Sequence, residues 1–228
     1  MAKVKFIVDV EKEIFYLKEY IKVCGEDKVT PPGLNLLKKT DEEIIKELNR
    51  EYSTSQFIEF ANNLKRRWKK IEDRYFSRIK EITGYEWELK EYICIITKYI
   101  PGFSVISKGN IIILGNEFRK NDEIRSLPIE SQLYILAHEL FHLHYFEVAR
   151  KEKLPIEATK IEIVESVPIL VFFNDSELQS FWPSVTFEKA KASYKKVEAV
   201  YGSASKMWDT KKNYLEFLKE FANSLKKH

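Results

Sequence analysis

Apolar residues recur at three- and four-residue intervals over 10–23, "VEKEIFYLKEYIKV", and predict an amphipathic helix. The preceding "KVKFIVD" (3–9) has strand-like content. "GEDKVTPPGL" (25–34) carries a Pro-Pro-Gly stop and is expected to be a loop. Thr40 before "DEEIIKELNREY" is an N-cap followed by an acidic first turn. Ser53 or Ser55 opens a long helix over about 55–82, closed by Gly84. The pattern then changes: 85–118 is rich in Ile, Tyr, Val and Phe, punctuated by Gly102, "KGN" (108–110) and Gly115. Strands are expected over about 87–98, 103–107 and 110–115.

"RKNDEIRSLP" (119–128) reads as a loop, with Ser126 as cap and Pro128 in the first turn of a helix over about 128–148. After "KEKLP" (151–155) a second helix is expected over 156–173, kinked at Pro168. "NDSELQSFWPS" (174–184) reads as a loop, and amphipathic helices over 185–200 and 206–226 finish the chain. Helices, then a small mixed sheet, then helices argue an α+β fold rather than alternating βαβ units. The expected division is an N-terminal helical region, 1–84, and a second region with C-terminal helices, 85–228, together forming one unit.

With 44% hydrophobic residues, the 228-residue chain can bury a sizeable core. A net charge of +3 lacks the basic excess of a nucleic-acid binder. The basic "LKRRWKK" (64–70) is flanked by Glu59, Glu72 and Asp73 and reads as a solvated helix face. The two cysteines, Cys24 and Cys94, form no CxxC pair and are expected to be reduced thiols. Neither a signal peptide nor a membrane span is expected, since the longest apolar run, "VPILVFF" (167–173), is short. The expectation is a soluble cytoplasmic protein.

Against this background one stretch stands apart. Three of the four histidines fall in "ILAHELFHLHYF" (135–146). His138-Glu139-Leu140-Phe141-His142 is HExxH. On a helix, His138 and His142 lie one turn apart on one face and can hold a single ion. Glu139 is turned about 100° away, placed to take a proton from a water at that ion. Two imidazoles and a carboxylate without a ligand would be costly in such apolar surroundings. A third ligand must come from elsewhere. His144 falls on another face of the helix and His228 is terminal. In 161–173 the only non-apolar residues are Glu162, Glu165, Ser166 and Pro168, so Glu162 and Glu165 form a polar stripe on an apolar helix.

HELFH followed some twenty residues later by a helical Glu resembles the gluzincin branch of the zincin metallopeptidases. The order of "NIIILGNEF" before "LPIESQLYILAHELFH" is similar too, and the resemblance covers about 87–175. It implies a zincin-like domain with helical additions at both ends, one zinc ion held by His138, His142 and a downstream Glu, and Glu139 as general base. The Glu stays open. "VESVP" resembles the family form and favours Glu165, whereas Glu162 has the thermolysin-like spacing, with Ser166 where those members carry Asp. No oxyanion donor is assigned among Tyr194, Tyr201 and Tyr214. The implied activity is zinc-dependent hydrolysis of peptide or protein substrates, with an edge strand near 110–115 pairing with the substrate backbone. The alternatives are a catalytically silent binding or regulatory module, and a latent peptidase whose N-terminal helices cover the cleft.

Overall fold

Alternation along three short strands sorts the chain into layers. The structure is a computed structural model and describes residues 2–25, 31–100, 102–105, 111–115, 117–120, 123–192 and 195–225. Its main sheet joins β1 (Lys3–Ile7), β2 (Glu91–Thr97), β3 (Phe103–Val105) and β4 (Ile111–Gly115) in the order β1-β2-β4-β3. β1, β2 and β4 are parallel and β3 runs antiparallel to β4, so the sheet is mixed. Tyr92, Cys94, Ile96, Ile112 and Leu114 face one side and join the largest core cluster. Ile93, Ile95, Ile111, Ile113, Phe103 and Val105 face the other. In the register Ser104 opposes Ile112, which puts Ser104 on the first of these faces.

Helix α1 (Val10–Cys24) covers the second face with Tyr16, Leu17 and Tyr20, and Tyr20 packs 5.2 Å from Phe103 between ring centroids. Outside it lie α2 (Pro31–Leu36) and α3 (Asp41–Tyr52), whose Leu36, Ile44 and Leu48 close a small cluster with Ile14 and Tyr99. Helix α4 (Ser55–Thr83) and helix α5 (Ile129–Lys151) cover the first face. Helix α6 (Ile161–Phe173) packs on α5. The short α7 (Ser176–Gln179) and α8 (Phe187–Ala192), then α9 (Lys195–Thr210) and α10 (Tyr214–Ser224), complete that layer. The chain is thus mixed α+β and mostly helical. Because β1 pairs with β2, the first 84 residues share a sheet with the rest.

Several expectations need correction. Pro31–Leu36 is a helical turn within the supposed loop, since proline fits a first helical position. Thr54, not Ser53 or Ser55, caps α4, accepting from the Phe57 N–H. The supposed loop over 119–128 holds most of a two-stranded ladder, β5 (Glu117–Lys120) with β6 (Glu123–Ser126). Ser126 therefore ends a strand, and Pro128 occupies the N-cap of α5 without a side-chain cap. The helix expected over 156–173 begins as a 3-10 turn, Ile156–Thr159, and restarts after the extended Lys160. It then runs through Pro168 to Phe173. One helix bridges the expected gap at 201–205. Ile111–Gly115 lies inside the sheet between β2 and β3, so the edge nearest α5 is Phe103–Val105. Helices α1 to α3 lie on the opposite face from α5, whereas α4, also N-terminal, packs against α5 on the same face.

Glutamates close both sheet edges, where unpaired backbone donors invite pairing with other chains. At β1, buried Glu72 of α4 accepts from the Val4 N–H at 2.7 Å and from Trp68 Nε1 at 3.1 Å. Trp68 is itself core, so of "LKRRWKK" only the charged residues meet solvent, where Lys65, Arg66 and Lys69 line a groove beside β1. At β3 the closing glutamate is Glu139, described below. Trp208, Tyr214, Phe217, Leu218 and Phe221 are buried, as helical spacing predicts.

Candidate metal centre

Helices α5 and α6 run antiparallel. Tyr145 of α5 donates to the Ala158 carbonyl at one end, and Tyr134 packs on Phe172 at the other. Between these contacts Glu165 of α6 meets the HExxH face of α5. Its Oε2 lies 2.9 Å from His138 Nε2 and its Oε1 lies 3.4 Å from His142 Nε2. The two imidazole rings sit edge to face with centroids 4.4 Å apart. His138, Glu139, His142 and Glu165 are all buried, none more than 8% exposed.

The spacing fits a metal. A tetrahedral zinc with bonds of about 2.0–2.1 Å separates its ligand atoms by about 3.3 Å. The Glu165–imidazole distances bracket that value. His138, Glu139 and His142 also bring one ligand atom each within 4.8 Å of one another, so Glu139 competes on distance alone. Its partners decide against it: the Glu139 carboxylate is hydrogen-bonded by both the side chain and the main chain of Ser104 on β3. Among the described residues Glu165 is thus the carboxylate that reaches both imidazoles, with Glu139 beside it. Glu162 is half-buried at the start of α6, its carbonyl accepting from Ser166, and makes no described contact with the histidines.

The two carboxylates are tuned in opposite directions. Burial works to raise Glu165, but hydrogen bonds and charge from His138 and His142 outweigh it and hold the group well below the usual carboxylate range. Glu139 is pushed up to about 7, chiefly by burial, with Glu165 adding repulsion; His142 and Ser104 pull the other way. A carboxyl poised near neutrality suits proton transfer.

Other residues fall away from the centre. His144 packs on Trp87 at 4.5 Å, with Nε2 3.0 Å from the Thr83 hydroxyl, in the core rather than in a cleft. Burial drives its pKa down to about 3. Tyr201 packs on Phe187, and buried Tyr214 lies near Tyr145 and Tyr85. Tyr194 and His228, like "KGN", lie outside the described residues, as does the Cys24 side chain. Cys94 is a buried free thiol.

One neighbour of the site escaped the sequence reading: Ser104 sits 35 positions before Glu139 and is legible only through strand register.

Compared with family models, with curated proteins and with solved structures, the chain matches none. Among the described residues no helix is long and apolar enough to cross a membrane.

Proposed function

We propose that the chain is a zinc-dependent metallopeptidase of zincin-like architecture. The observation that carries this reading is Glu165 reaching both HExxH imidazoles while Glu139 turns aside to Ser104. His138, His142 and Glu165 would hold the ion. Zinc there supplies Lewis-acid polarisation of a carbonyl and lowers the pKa of water towards neutrality. Glu139 takes the proton from the attacking water and returns it to the departing amide nitrogen.

The rival reading is a silent binding or regulatory module in which Glu165 serves only as acceptor for the two imidazoles. A Glu139→Gln comparison on a mixed peptide library separates the two. The peptidase reading expects zinc retained and cleavage lost in the variant. Zinc-loaded wild type that cleaves no peptide supports the module instead.

A further inference from the structure

The sheet has a second edge, β1, across from β3. In a parallel pair, alternate residues of a strand turn their N–H and C=O towards the neighbour. Lys3 N–H donates to the Lys90 carbonyl just before β2, so Lys3, Lys5 and Ile7 face β2, while Val4 and Phe6 turn both groups outward. Glu72 takes the Val4 N–H. Among the described residues nothing takes the Phe6 N–H, and nothing donates to the Val4 and Phe6 carbonyls. Val4 and Phe6 line a surface groove of about 480 Å³ between β1 and α4. Lys65, Arg66 and Lys69 line it from α4, and Lys3 adds a fourth cation. Lys69 is held by Glu72 at 3.0 Å. Among the described residues no carboxylate pairs with Lys3, Lys65 or Arg66; Arg66 reaches the Asn63 side chain. Asp73, the next acid along α4, lines a separate groove with Arg74 and Arg78.

We propose that the β1 groove docks an acidic peptide, which adds to the sheet as a further strand. The peptide backbone meets the Phe6 N–H and the Val4 and Phe6 carbonyls, the groups an added strand pairs with. Side chains alternate between the two faces of a strand, so acids two residues apart both point towards α4, where Lys65 and Arg66 are uncompensated. Other occupants fit less well. A nucleic-acid strand satisfies the cations, but its backbone has no N–H to give the two carbonyls. A second copy of this chain, paired edge to edge, sets Lys3 and Lys5 beside their own counterparts, and like charges across a ladder oppose that. The exposed charges select the partner and speed its encounter; the backbone ladder holds it. Nothing in this site depends on the metal centre, which lies towards the other edge of the sheet.

The test is fluorescence polarisation of a labelled octapeptide of alternating Glu and Thr with the full chain. Wild type should bind it about 10-fold or more tightly than the alternating Lys and Thr peptide, with affinity falling as salt rises. Lys65→Glu combined with Arg66→Glu should weaken binding by about 10-fold or more at an unchanged melting temperature. Two further peptides, N-methylated at every Glu or at every Thr, probe the ladder on the wild-type protein. Only one alternate set of amides faces β1, so one methylated peptide should lose binding and the other keep it. Equal affinities of the two methylated peptides overturn strand addition, whatever the charge-reversed chain does. Unchanged affinity in the folded double variant overturns the groove as the site. Tighter binding of an eight-nucleotide oligothymidylate than of the acidic octapeptide overturns the choice of partner. No binding at millimolar peptide overturns the proposal as a whole.

Discussion

Glu165 Oε2 lies 2.9 Å from His138 Nε2 across 27 positions of sequence. Two antiparallel helices, rather than a local loop, therefore build the site. Such a site survives conservative changes to its ligands as a fold, because the packing around it is apolar and independent of the ion. Glu165→Gln should keep a wild-type circular dichroism spectrum while weakening zinc by about 10²-fold or more. A spectrum that collapses with the substitution contradicts that separation.

The edge strand holds the proposed base. Serine 104 gives Glu139 a side-chain and a main-chain hydrogen bond, and Ser104→Ala removes only the first. One hydrogen bond to a charged group contributes about 1.5–3 kcal/mol at most, so kcat should fall by about 10-fold with zinc content intact. Equal kcat in variant and wild type shows that the hydroxyl does not position Glu139.

Gly102 places β3 against α5. A Cβ there would overlap the Ile135 side chain, one turn before Glu139. Gly102→Ala should cost about 1–3 kcal/mol in chemical denaturation, the usual range for overpacking. At Gly115 the obstacle is the Ile100 backbone carbonyl, which cannot rotate away, so Gly115→Ala should cost more. The reverse order contradicts the packing described.

Glu13 fastens α1 to the far end of the sheet. Fully buried, it accepts from the Lys98 and Tyr99 backbone N–H groups at 3.0 and 2.9 Å, and from the Tyr52 hydroxyl. Glu13→Ala takes a shared acceptor from three donors and should cost about 2–4 kcal/mol. A loss below about 1 kcal/mol shows that water replaces the carboxylate there.

Glu147 gives a pH signature. Burial lifts its pKa from 4.5 to about 6, while Tyr92 pulls it back. Folding thus favours the protonated form; that contribution is present below pH 4.5 and lost as pH rises through about 6. Glu147→Gln mimics the protonated acid. It should match wild type near pH 4.5 and exceed it near pH 8 by about 1 kcal/mol, since the group is partly solvated. An equal difference at both pH values contradicts the assignment.

What the sequence made legible follows from local geometry. The i, i+4 spacing of His138 and His142 predicts a shared face, and a polar stripe on an apolar helix singles out Glu162 and Glu165. Choosing between those two needs the α5–α6 crossing, which no local pattern encodes. β5 and β6 were hidden because charged residues outnumber apolar ones in "EFRK" and "EIRS". Ile111–Gly115 looked like an edge, but an almost continuous apolar strand is the mark of an interior one. Glu72 read as a solvated acid because its partner, the Val4 N–H, lies 68 positions away.

Metal content of the purified full chain, by elemental mass spectrometry after zinc loading and dialysis, tests the account most directly. One zinc per chain is predicted for wild type and for Glu139→Gln, and none for His138→Ala. Wild-type chain that retains no zinc, or His138→Ala chain that retains a full equivalent, contradicts the assignment of His138, His142 and Glu165 as a metal centre.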